Sequence, residues 1–115
     1  MKYYKVVRRR NKKLYSGNPE FAKSVRYMKD RWTFPPDNGN PFLFVFDSLD
    51  WAEYWSSPRI CAIYECEIGK IIPMSGGSRR RVGIYAIDGY VPSGTVLTSR
   101  VKITKKIKEK QHEDS

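Results

Sequence analysis

Three groups of residues in this chain have types and spacings that could do chemistry. The first is basic: Arg8, Arg9, Arg10, Lys12 and Lys13 crowd the first stretch of the chain, and Arg79, Arg80 and Arg81 follow Gly76-Gly77-Ser78. Guanidinium groups take phosphate oxygens in paired, charge-assisted hydrogen bonds, and a Gly-Gly backbone can come close to a phosphate. Such clusters bind nucleic acid with strong salt dependence and little sequence preference. Gly-Gly-Ser-Arg lacks the Gly-Lys-Ser/Thr ending of a P-loop, so nucleotide hydrolysis is not indicated.

The second group is aromatic. Trp32 and Phe34 abut a proline-rich stretch, and Tyr85 and Tyr90 flank Asp88-Gly89. From there rings could stack on unpaired bases or anchor a protein partner, against the alternative that they fill a core. The third is acidic. Glu65 and Glu67 alternate onto one face of a predicted strand, about 7 Å apart, a separation that suits acid/base work or a divalent ion. Lys102, Thr104 and Lys106 alternate in the same way on the last long strand. Cross-strand ion pairing on a solvated face accounts for both sets.

Neither a catalytic set nor a cofactor motif emerges beyond these groups. Cys61 and Cys66 are five residues apart on one predicted strand, which puts them on opposite faces and roughly 16 Å apart, out of disulfide reach. Free thiols suit a reducing compartment, and the single histidine, His112, lies in a polar tail, so no zinc set can be assembled. The chain is expected to be cytoplasmic: the longest apolar stretch, 41–46, is too short for a bilayer, and the N-terminus has no apolar signal region.

The 115 residues suit one domain. Lys and Arg number 22 against 12 Asp and Glu, a net charge of +10 that is unevenly spread. Residues 1–13 carry seven bases and no acid, residues 36–76 carry two bases and six acids, and residues 77–115 are basic again. A basic beginning and end around an acidic waist is the footprint of a polyanion binder, with a solvated lysine-rich surface as the alternative.

The elements that must position these residues follow from periodicity. Tyr3 to Val7 and Leu14 to Ser16 form a hairpin around Arg10-Asn11-Lys12-Lys13. In residues 21–34 Ala22, Val25 and Met28 suit a helical stripe while Val25, Tyr27 and Trp32-Thr33-Phe34 suit a strand, and strand or extended chain is the preferred reading; 35–41 read as a loop. Phe42 to Phe46 is apolar on both faces, a central strand. Asp47 or Ser48 caps a short helix over 49–56, in which Trp51, Ala52 and Trp55 face the sheet. Residues 60–68 alternate as a strand, continued irregularly to Met74, and 75–81 form a flexible loop carrying the second arginine cluster. A strand over 82–87 and two strand pieces over 95–107, with Val101, Ile103 and Ile107 inward, complete the domain, leaving 108–115 as a polar tail. The expected class is α+β: one compact domain over 1–107, a mostly antiparallel twisted sheet with one or two short helices.

Tyr4-Lys5-Val6-Val7, Leu14-Tyr15-Ser16, Leu43-Phe44-Val45-Phe46-Asp47-Ser48-Leu49 with Ala52, and Tyr64-Glu65-Cys66-Glu67 together resemble a pattern in small uncharacterised phage and virus proteins. The order strand, short helix, returning strand from Phe42 to Ile68 is also similar to part of the ADP-ribosyltransferase-type fold. That family's enzymes use a Glu in a catalytic loop-strand element and an Arg or His on an early strand. Here the early strand offers Tyr4 or Lys5, and Glu65 and Glu67 sit on the wrong element, so the resemblance implies an architecture without the activity. The expected function is therefore that of a viral, non-enzymatic protein without cofactor. Its basic loops would bind nucleic acid or another polyanion, or else dock an acidic protein surface as an inhibitor of a host or defence protein, with an ADP-ribosyltransferase-like or nucleotide-processing enzyme as the remaining alternative.

Overall fold

The computed structural model describes residues 1–16, 25–36, 42–55, 61–73, 80–82, 85–87 and 94–110, with residues 55, 61, 80–82, 85–87, 109 and 110 described by their backbone. The strands in chain order are β1 (Tyr3–Arg10), β2 (Lys13–Ser16), β3 (Arg26–Tyr27), β4 (Trp32–Thr33), β5 (Leu43–Phe46), β6 (Cys61–Ile68), β7 (Ile71–Ile72), β8 (Arg80–Val82), β9 (Tyr85–Ile87), β10 (Thr95–Thr98) and β11 (Val101–Lys110), with one helix, α1 (Leu49–Trp55), between β5 and β6. The main sheet runs β4-β11-β6-β1-β5-β10-β7, antiparallel at every step. β2 and β3 extend it beside β1. β8 and β9 form a separate two-stranded ribbon.

The expected hairpin forms at Asn11-Lys12. Both residues have positive φ, 51° and 65°, the type I′ geometry whose twist matches that of two strands joined by two residues. β1 then pairs with β6 from Tyr3↔Cys66 to Arg8↔Cys61 on one edge. Its other edge is divided, Tyr4 meeting Phe46 of β5 and Val7 to Arg10 meeting β2.

The sheet curls because two strands bend together. β7 follows β6 across Gly69-Lys70, β11 follows β10 across Ser99-Arg100, and β6 pairs with β11 while β7 pairs with β10. Main-chain bonds from Gly69 N to Arg100 O (2.9 Å) and from Ser99 N to Lys70 O (3.0 Å) tie the two bends together. A Cβ on Gly69 would lie 2.5 Å from Ser99 Oγ and 2.6 Å from Arg100 Cγ, so the crossing requires glycine.

Alternation then sorts side chains into two faces. Val7, Tyr27, Leu43, Val45, Ala62, Tyr64, Cys66, Val101 and Ile103 form the larger core on the inner face. On the outer face Val6 and Ile63 pack beneath Ala52 of α1, with Tyr4, Phe46 and Leu49 at the margin. Ser48 is the helix cap, its Oγ accepting from Trp51 N at 3.2 Å.

Several sequence expectations change here. Ala52 is fully buried, but Trp51 is 38% exposed, lying against Gly94 and edge-to-face with the exposed Tyr54. Neighbouring helical residues stand about 100° apart, so a seven-residue helix that aims Ala52 at the sheet turns Trp51 to its flank. The strand expected over 82–87 is instead two strands of a ribbon, with Arg80 paired to Ile87 and Val82 to Tyr85. β11 continues to Lys110, beyond the expected end at 107, and register shifts between Ile103 and Lys105 and between Lys106 and Lys108 interrupt its alternation. Lys102 and Lys106 therefore do not share a face through regular spacing: Lys102 opposes Glu67, whereas Lys106 opposes Tyr64.

Among the described residues the core holds a lysine. Lys5 is 4% exposed on the inner face, its Nζ donating to Phe44 O at 2.6 Å and lying 5.1 Å from the centre of the Tyr27 ring. Burial lowers its pKa from 10.5 to about 8, partly opposed by the adjacent Cys66. Burial also raises the Cys66 thiol to about 12 and pushes the Tyr27 hydroxyl upward. The Tyr27 hydroxyl has no hydrogen-bond partner among the described residues.

Between about pH 8 and 10.5 the unfolded chain holds the Lys5 proton more tightly than the folded one, so stability rises with pH across that window. From pH 9.0 Cys66 works in the opposite direction, because the unfolded thiol ionises first. Urea titrations should accordingly show stability climbing from pH 8 to 9, levelling to about pH 10 and falling above it, where the unfolded Tyr27 phenol ionises as well. Lys5→Met should remove the climb and raise stability at pH 7, since the cost of burying the ammonium disappears; an unchanged climb in that variant contradicts the assignment. At the turn, Lys12→Gly should raise stability by about 1 kcal/mol, because a left-handed conformation costs a side-chain-bearing residue and not glycine.

Candidate polyanion interface

Alternation along β1 divides the first basic cluster. Arg8 and Arg10 lie on the outer face with Tyr15 and Lys13 as their partners on β2, whereas Arg9 opposes Leu14 on the side of the inner core. Lys12 sits in the turn itself. Arg8, Arg10, Asn11 and Tyr15 line a recess of about 310 Å³. Arg8 is held in place through Nε, which donates to Ser16 O at 3.3 Å.

The outer-face row extends beyond the hairpin. Tyr15 opposes Arg26 of β3, and on the other side Arg8 opposes Cys61, which opposes Lys110. Arg26, Tyr15 and Arg8 are thus consecutive across three strands, a width of roughly 10 Å. Arg10 and Lys13 form the next outer-face pair toward the turn. Sequence reasoning passed over Tyr15, Asn11 and Arg26, because only the pairing of β2 with β3 brings Arg26 beside Tyr15. A tyrosine with arginines at comparable strand positions to either side was the available signal.

Three carboxylates of the acidic waist pair with other lysines. Glu65 pairs with Lys2 at 3.7 Å, Glu67 with Lys102 at 3.6 Å, and Glu53 of α1 with Lys108 at 3.1 Å. Glu67 therefore takes the cross-strand ion-pairing role that alternation indicated, directly opposite Lys102, whereas Glu65 pairs with Lys2, ahead of β1, and not with a lysine of β11. Among the described residues no carboxylate pairs with Arg8, Arg10, Lys13 or Arg26.

The aromatic candidates separate as well. Trp32 is half-buried, with Arg100 Cζ 4.0 Å and Lys102 Nζ 5.0 Å from its ring centre, so two cations already engage its π face. Phe34 is 59% exposed. Tyr85 is a backbone position in β9, and Arg80 and Arg81 are backbone positions in β8. Arg79, Tyr90, the loop over 75–78 and the tail over 111–115 lie outside the described residues. No helix among the described residues is long and apolar enough to cross a membrane. Comparison with known proteins finds no matching family model, no matching curated protein and no matching solved structure.

Proposed function

We propose that this chain binds nucleic acid, without performing chemistry on it, by holding backbone phosphates on the outer face of its β1-β2-β3 corner. The observation that carries the reading is the grouping of Arg8, Arg10, Lys13 and Arg26 on one sheet face with no described carboxylate among them. Arginine forks suit phosphate, and an anchored Arg8 loses less freedom on binding than a mobile one. We take the setting to be cytoplasmic, since Cys66 is a free buried thiol, and the source to be a phage or virus on the sequence pattern alone. An acidic protein surface is the competing partner for the same cations.

Fluorescence anisotropy with short labelled oligonucleotides across a salt series tests this. Affinity should fall linearly on a log–log salt plot. Arg8→Ser with Arg10→Ser should weaken binding to every sequence alike and reduce the salt slope by about two, one per lost phosphate contact. Absence of binding to single or double strands at about 50 mM salt sinks the reading in favour of a protein partner.

A further inference from the structure

We infer that the nucleic acid this face accepts is single-stranded, with a base stacked on Tyr15 and the adjoining phosphates on Arg8 and Arg10. The inference rests on the polyanion reading above and adds the strandedness of the ligand and the residue that selects it. Tyr15 lines the same recess as Arg8, Arg10 and Asn11, and the recess volume of about 310 Å³ accommodates a group larger than a lone phosphate. A positively charged groove with an aromatic ring set into it is the arrangement that holds unpaired strands, because every base has a face to stack and every linkage a charge to neutralise.

The alternatives for a duplex are poorly served by this fold. Reading a major groove takes a helix or a free two-stranded ribbon. The one helix among the described residues, α1, carries Asp50 and Glu53 and no base, so its charge opposes entry into a groove. The β1-β2 hairpin is basic, but it is not free: β3 pairs with β2 at Leu14 and Tyr15, and β6 pairs with β1 as far as Arg8. It therefore offers a face and not a projecting ribbon. On that face the ring stands between two arginines, Arg26 on one side and Arg8 on the other, so a base seated on Tyr15 has a cation at both of its flanking linkages. Asn11, in the left-handed turn and lining the recess, supplies an amide that can both donate and accept along a base edge.

The experiment compares a short labelled single strand of mixed sequence with the duplex of equal length, for the parent, Tyr15→Phe and Tyr15→Leu. Leucine keeps an apolar side chain at a half-buried strand position while removing the ring, and circular dichroism confirms the fold of each variant. The parent should prefer the single strand. Tyr15→Phe should keep that preference, and Tyr15→Leu should weaken single-strand binding by roughly 10- to 100-fold, the range that stacking of one base confers, while leaving the salt slope and duplex binding unchanged. Equal single-strand affinity in parent and Tyr15→Leu, or a parent that prefers the duplex, overturns the inference; salt-dependent binding that survives in either case leaves the polyanion reading standing, and its absence on both ligands removes that reading first.

Discussion

Strand β1 is hydrogen-bonded along both edges, and the register of those pairings decides the role of every residue near it. With β6 on one side and β5 then β2 on the other, no residue of β1 can change face without carrying the whole strand out of register. Lys5 and Val7 are committed inward, and Val6, Arg8 and Arg10 outward. The core, the seat of α1 and the outer basic face all follow from this one parity. A strand shared by three neighbours is also where a single residue's misplacement is felt furthest, since a shift there disturbs the pairing of β2, β5 and β6 together.

The burial of Lys5 is the cost of that parity. A serine or threonine could bond its own backbone and a leucine would simply pack, whereas an ammonium in the core needs acceptors and has Phe44 O and the face of Tyr27. Desolvation lowers its affinity for the proton, and the neighbouring Cys66 and Tyr27 are driven the other way by the same loss of water. With its pKa near 8 Lys5 still holds its proton at pH 7, so the interior keeps one ammonium beside a neutral thiol and a neutral phenol in place of three charges.

The basic residues divide by position into those bound into the fold and those facing outward. Lys102 and Lys108 hold carboxylates, and Arg100 and Lys102 cover Trp32. The edge of β11 beyond Ile103 has no strand partner among the described residues, and its lysines and two register shifts discourage another chain from pairing there. Net charge alone does not distinguish these duties. The outward group on β1, β2 and β3 stands apart because its cations lie beside one another with an aromatic ring among them.

The primary sequence determined the elements whose signals are local. A turn at Asn11-Lys12 between β-prone runs, the alternation seen in β6, the apolar run of β5 and a cap at Asp47 or Ser48 before a short helix each depend on residues within a few positions of one another; the turn, both strands and the helix formed, with Ser48 as the cap, while the expected apolar stripe turned Trp51 to the flank. The ion-pairing role of Glu67 was legible for the same reason, because alternation on two long strands predicts which side chains face each other. Tertiary structure decided what depends on distant partners. The bulges in β11 arise from its fit to β6, the division of the arginine triplet gains meaning only once β2 and β6 fix which face is covered, and the burial of Lys5 requires Tyr27 and Cys66 to arrive from two other strands. Arg26 and Tyr15 are eleven residues apart in the chain and directly opposed in space, a neighbourhood created by main-chain pairing between β2 and β3, and side-chain chemistry alone carries no record of which strands will pair.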